Sequence, residues 1–152
     1  MRDKIREQLA RLRLRGIEAA LDAELDRAEA EGSPAAEVIW RLLAAQEAHR
    51  REKSLAYRLT QAKLPWHWTL DSFPFDRQPG VDRGQIRALA GLDFLRRNEN
   101  ILLIGPPGTG KTGIALALLR EACLNGHAGR FYNAQLLLDE LYASLADRST
   151  PK

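Results

Sequence analysis

Apolar residues recur at helical spacing from the start of the chain, at Ile5, Leu9 and Leu12 and, after Gly16, at Ile17, Leu21 and Leu25. The pattern predicts two amphipathic helices, or one kinked at Gly16. Gly32, Ser33 and Pro34 then supply a break, an N-cap and a proline for a first helical position, so a third helix opens there. It runs through Ile39, Leu42 and Leu43 toward Leu59, and Pro65 ends it. From Leu64 to Gly80 the periodicity disappears. Pro65, Pro74 and Pro79 stand among Trp66, Trp68, Phe73 and Phe75, as in an extended connector anchored by aromatic side chains. Asp82 with Gln85 resembles a capping box, followed by Ile86, Leu89 and Leu95 on one helix face and a stop at Asn98 to Asn100.

A different pattern begins at Ile101-Leu102-Leu103-Ile104, an unbroken apolar run with β-branched ends that predicts a parallel strand buried on both faces. Ile114 to Leu124 predicts a buried helix closed by Asn125-Gly126, and Arg130-Phe131-Tyr132 a second strand. Leu137, Leu138, Leu141 and Leu145 place a last helix over Ala134 to Leu145, before the polar end Arg148-Ser149-Thr150-Pro151-Lys152. The expected organisation is a helical domain over 1–64, a linker over 65–82 and part of an α/β P-loop nucleotide-binding domain over 83–152.

Composition narrows the class without deciding it. The 152 residues are 45% hydrophobic, ordinary for a globular protein, so disorder of the whole chain is not expected. A net charge of +3 permits a polyanionic partner without requiring one. A single cysteine, Cys123, cannot form an internal disulfide and no zinc-ligand spacing exists, which points to a reducing, cytoplasmic setting. The N-terminus alternates charges at Arg2, Asp3, Lys4, Arg6 and Glu7, and no run reaches the ~20 apolar residues of a membrane span. Neither a signal peptide nor a transmembrane helix is expected.

The chemistry sits in one motif. Gly105-Pro106-Pro107-Gly108-Thr109-Gly110-Lys111-Thr112 matches the phosphate-loop pattern G-x-x-x-x-G-K-[ST] at every specified position, between a predicted strand and a predicted helix. Glycines let the backbone N–H groups curl around phosphate oxygens, and the helix that follows adds the partial positive charge of its N-terminus. Lys111 would reach the β- and γ-phosphates and Thr112 would place its hydroxyl on Mg²⁺, so the expected ligand is ATP with Mg²⁺.

Leu136-Leu137-Leu138-Asp139-Glu140 has the apolar run and acids of a Walker B strand. It begins too close to Phe131-Tyr132 for the crossover of about a dozen residues that parallel strands need. Its leucine spacing is also helical, so it reads as a helix bearing solvated acids. No catalytic residue is assigned, and whether this chain turns ATP over is left open.

Other signals have two readings. Arg2, Lys4, Arg6, Arg11, Arg13 and Arg15 crowd the first helix, and Arg41, Arg50, Arg51, Lys53, Arg58 and Lys63 stud the third. They form either a footprint for nucleic-acid phosphates or a set of partners for Glu18, Asp22, Glu24, Asp26, Glu29 and Glu31. Trp66, His67 and Trp68 read as pins holding the connector to a core, with base stacking as the alternative. Phe73 and Phe75 are core residues first and adenine-pocket candidates second. His49 and His127 read as surface residues without metal-ligand partners, and Cys123 as a buried small hydrophobe.

Taken in order, these features resemble the IstB family of ATP-binding helpers to insertion-sequence transposases, relatives of the helicase loader DnaC among the AAA+ ATPases. The resemblance rests on Leu12-Arg13-Leu14-Arg15-Gly16, on Leu42-Leu43 with Glu47 and Arg50-Arg51, and on Ala62-Lys63-Leu64-Pro65. It continues through Leu70-Asp71-Ser72-Phe73 to Gly105–Thr112, the one mark specific by itself. It implies an ATP site at that loop, association with DNA and a transposase, and homo-oligomers. A helicase-loader role and a non-hydrolysing interaction module are the alternatives. Gly113-Ile114 stands where many relatives carry His-Leu. The family's Walker B strand, sensor strand and intersubunit arginine follow the region matched here, so the chain resembles the family's front half, a C-terminally truncated AAA+ core.

Overall fold

The computed structural model describes residues 1–146; the polar end at Arg148 to Lys152 lies outside them. The chain divides into two compact units, Met1–Tyr57 and Arg58–Lys152.

The first unit holds α1 (Arg2–Arg11), α2 (Arg15–Glu31) and the greater part of α3 (Ala35–Gln61). Leu9, Ile17 and Leu21 form its buried cluster, with Leu14, Leu25 and Leu42 packed on it, so the helical periodicity marks part of the core face, while Ile5, Leu12, Ile39 and Leu43 of the same pattern are exposed. Burying each of these leucines or isoleucines stabilises the unit by about 1.5–3 kcal/mol. The break between the first two helices falls at Leu12–Leu14, where Arg13 takes φ +57°, and not at Gly16, which lies inside α2. Gly16 serves close approach instead. A Cβ there would stand 2.7 Å from the Ala45 carbonyl oxygen and from Gln46 Cα.

That contact also caps α2. Its N-cap residue, Leu14, has no side-chain acceptor. Oε1 of the buried Gln46 takes the role from α3, accepting from the amides of Gly16 at 2.9 Å and Ile17 at 3.3 Å. Gly32 closes α2 in the left-handed conformation. The carbonyl of Pro34 accepts from the amides of Glu37 and Val38, so α3 opens just after Pro34. The Ser33 hydroxyl, expected as the cap, donates to Glu31.

The acids of α2 collect the nearby arginines. Arg2 pairs with Asp26 at 2.8 Å and Glu29 at 3.1 Å, and Arg6 pairs with Asp22. Arg41, whose side chain is only 17% exposed, faces Glu24 and Glu31 at 3.7 and 3.5 Å as well as Glu37.

The second unit holds α4 (Arg83–Ala90), α5 (Asp93–Arg96), α6 (Lys111–Leu124) and α7 (Ala134–Ala146). Its core is Phe73, Ile86, Ile114 and Leu118, ringed by Trp68, Leu70, Phe75, Val81, Leu89, Ile101 and Leu103. Asp82 caps α4 as predicted, accepting from the amides of Gly84 at 2.7 Å and Gln85 at 3.1 Å. The single helix expected beyond it is interrupted, because Leu92 turns into the left-handed region at φ +59° to bury its side chain.

Among the described residues there is no strand: residues 83–146 are helices joined by irregular chain, and the α/β core predicted for 83–152 is not confirmed. Ile101 and Leu103 pack on the core while Leu102 and Ile104 are 81% and 85% exposed, so this run is covered on one face and not on two. Nor does 130–132 pair with it, since the Phe131 amide donates to the Ala62 carbonyl at 2.9 Å. A strand is defined by its ladder partner, and two short parallel segments bury too little to hold one. Leu136–Glu140 lies in α7, and Asp139 accepts a hydrogen bond from Gln135 one turn earlier at 3.0 Å, which excludes a Walker B strand there.

Candidate phosphate-binding site

Residues Gly105 to Thr112 form one turn that delivers the chain into α6. Gly108 and Gly110 sit at φ +80° and +82°, values that side-chain-bearing residues rarely adopt, and these two positions give the loop its curl. Gly110 is the N-cap of α6 and offers no side-chain acceptor, so the first N–H groups of the helix, from Lys111 onward, are left to a ligand. Thr109 Oγ1 donates to the Pro106 carbonyl at 2.9 Å and tightens the turn. Lys111 Nζ donates to the carbonyls of Gly105 at 2.8 Å and Pro106 at 2.6 Å. Its ammonium is thereby held over the loop, within reach of whatever the loop encloses.

The connector braces this loop. A Cβ at Gly110 would stand 2.6 Å from Cε2 and Cζ of Phe73, so that ring lies directly against the glycine. A Cβ at Gly113 would be 3.5 Å from the Trp68 ring, and Gln78 Nε2 donates to the Gly108 carbonyl at 3.2 Å. Phe73 meets Phe75 edge-on at 4.8 Å, and the Arg83 guanidinium lies over Phe75 at 5.4 Å. Gly105, Pro106, Thr109 and Lys111, with Gln78 and Val81, line a cavity of about 560 Å³, a size that suits a nucleotide. Among the described residues no group of three or more His, Cys, Asp or Glu could hold a metal ion by itself.

All eight loop residues predicted to bind therefore come together. Of the weaker candidates, Phe73 and Trp68 are pins, buried and half-buried, whereas Trp66 is 60% exposed. His49 is half-buried, close to Gly16, rather than on the surface, while His127 is exposed. Cys123 is fully buried and its carbonyl accepts from Arg58 Nε at 2.9 Å. Arg2, Arg6 and Arg41 are engaged by carboxylates of their own unit, which favours the pairing reading over a phosphate footprint at those positions. Gln46 and Gln78 carry no signal in the sequence. Each acts on backbone 30 residues away, and nothing local marks it.

The sequence profile of the IstB-like ATP-binding protein family matches residues 7–150. The chain belongs to that family. A Pseudomonas aeruginosa relative described as an ATP-binding protein of insertion sequence IS21 is 39% identical over 137 residues, 90% of this chain and 50% of the relative. The corresponding protein of insertion sequence IS5376 from Geobacillus stearothermophilus is 36% identical over 93% of this chain and 56% of its own length. An IS21-like protein of Bacteroides fragilis is 36% identical over 88% and 65%. The IstB-like chain thus spans between half and two thirds of the length of these relatives. No helix among its described residues is long and apolar enough to cross a membrane.

Proposed function

We propose that this IstB-like chain binds Mg·ATP in the loop Gly105–Thr112 and assists transposition through ATP-dependent association with DNA and a transposase, as a cytoplasmic homo-oligomer. The observation that carries the reading is the loop itself, with two glycines at positive φ feeding an uncapped helix under a lysine ammonium. In this reading the backbone amides hold the phosphates and Lys111 exchanges its carbonyl acceptors for β- and γ-phosphate oxygens. Mg²⁺ would rest on the Thr112 hydroxyl, the phosphates and water, a set that needs no carboxylate cluster. Residues 1–64 serve as the partner-facing region, 65–82 as the connector and 83–152 as the nucleotide-binding part.

Lys111→Ala removes the ammonium held over the cradle and is expected to weaken ATP binding strongly in a calorimetric titration. Undiminished affinity in the variant overturns the phosphate-loop assignment. The partner is tested by pull-down of purified transposase against purified replicative helicase, and capture of the helicase alone replaces transposition with helicase loading.

A further inference from the structure

We infer that the purine base of the bound nucleotide stacks on Trp66, in the aromatic cavity beside the phosphate loop; the inference rests on the phosphate-loop reading above. Phosphates held along Gly108 to Gly113 force the nucleoside to leave the cradle at its rim, where a base needs an apolar wall. A cavity of about 310 Å³ opens at that rim. Gly108, Gly110, Thr112 and Gly113 line it from the loop, and Trp66, Trp68 and Pro74 are among the residues that face them.

The aromatic residues there are not equivalent. Phe73 is committed to the core and to Gly110, Trp68 to Gly113, and Phe75 to Phe73 and Arg83. Among the described aromatic residues that line this cavity, Trp66 is the exposed one, at 60%, beside the proposed phosphate loop. A large indole left in water beside a ligand site is unsatisfied apolar surface, and a base covers it with a flat partner of matching size. The larger cavity along Ile101 to Ile104 shares the loop as well, yet no aromatic residue among the described ones lines it.

The base-free probe is tripolyphosphate, titrated into the full chain in parallel with ATP. Trp66→Ala is expected to weaken ATP binding by about 5- to 150-fold, the range measured for losing one base–aromatic stack, while tripolyphosphate affinity holds. Trp66→Phe should recover most of the loss. In a Trp40→Phe background, ATP should quench tryptophan emission where tripolyphosphate does not, and Trp66→Ala should remove that quench. Unchanged ATP affinity in Trp66→Ala overturns the inference, as does an equal loss for both ligands, which would make Trp66 a support for the loop. Failure of the phosphate-loop reading shows separately and earlier, as a parent chain that binds neither ligand, and it removes both conclusions.

Discussion

Replacing Gly110 by alanine places a methyl group 2.6 Å from Cε2 and Cζ of Phe73, at a backbone φ of +82°. The left-handed conformation costs an alanine about 1–2 kcal/mol. The overlap costs roughly another 1–3 kcal/mol, because Phe73 is 5% exposed and locked against Ile86, Ile114 and Leu118, so it cannot swing away. Gly108 supplies the control. It has φ +80° but nothing within 4 Å of the place a methyl group would occupy, so alanine there meets only the conformational cost. Without ligand the loop can relax and hide part of either penalty; with phosphate bound it must hold its curl. The difference should therefore emerge in nucleotide affinity more than in stability. Calorimetric titration with Mg·ATP should show Gly110→Ala binding about 5- to 150-fold more weakly than Gly108→Ala, the overlap term alone. Adding Phe73→Leu to Gly110→Ala should restore part of the affinity. Equal losses at the two glycines, or a greater loss at Gly108, would refute the idea that Phe73 shapes the cradle.

Three further outcomes follow from the first unit. Gln46→Leu leaves the buried amides of Gly16 and Ile17 without an acceptor and should lower stability by about 1–3 kcal/mol, read as a shift in the urea midpoint. Arg2→Gln with Arg6→Gln breaks ion pairs to Asp26, Glu29 and Asp22, so the salt dependence of the proposed DNA association should stay as in the parent; a shallower slope would return these arginines to a phosphate footprint. The hydrogen bond from Arg27, with attraction from Arg27 and Arg41, holds the Glu31 carboxyl below its ordinary value of 4.5. Its contribution to stability is therefore complete above that value and is lost as pH falls through the lowered one, so Glu31→Gln should lower stability slightly at neutral pH, where the contribution is deleted, and flatten the acid limb of a denaturation series below about pH 4.

What can be read in the amino-acid sequence is whatever local chemistry decides. Leucine spacing finds α1, α2, α3 and α7, Asp82 announces its own helix, and the loop's eight residues match the phosphate-loop pattern and form one stretch leading into α6. What cannot be read depends on residues far apart. Gly16 resembles a hinge until Ala45 and Gln46 are brought against it, and Gln46 has no signature of a cap because the helix it caps begins 30 residues away. The strand expectation is not met among the described residues for a related reason. Ile101–Ile104 has the composition of a central strand, but composition names no partner, and the nearest candidate spends its Phe131 amide on Ala62. Trp66 is 60% exposed where Trp68 is half-buried, and nothing in a run of aromatic residues among prolines marks that difference.

The contacts around the loop separate shape from charge. Residues 68–78 touch it at Gly108, Gly110 and Gly113 through Gln78, Phe73 and Trp68, while the ammonium is positioned from within, by Lys111 on the carbonyls of Gly105 and Pro106. Gly110→Ala therefore disturbs the cradle and leaves the cation, whereas Lys111→Ala deletes the cation and leaves the cradle. Their consequences differ in kind. Loss of a charge contact lowers the salt sensitivity of phosphate binding, because screening acts on charge, while distortion of the amide cradle weakens binding at every ionic strength alike. Measuring tripolyphosphate affinity across a salt series for both variants thus apportions recognition between the lysine and the backbone. The bracing by Phe73 predicts that the backbone share is lost in Gly110→Ala with the salt slope of the parent retained.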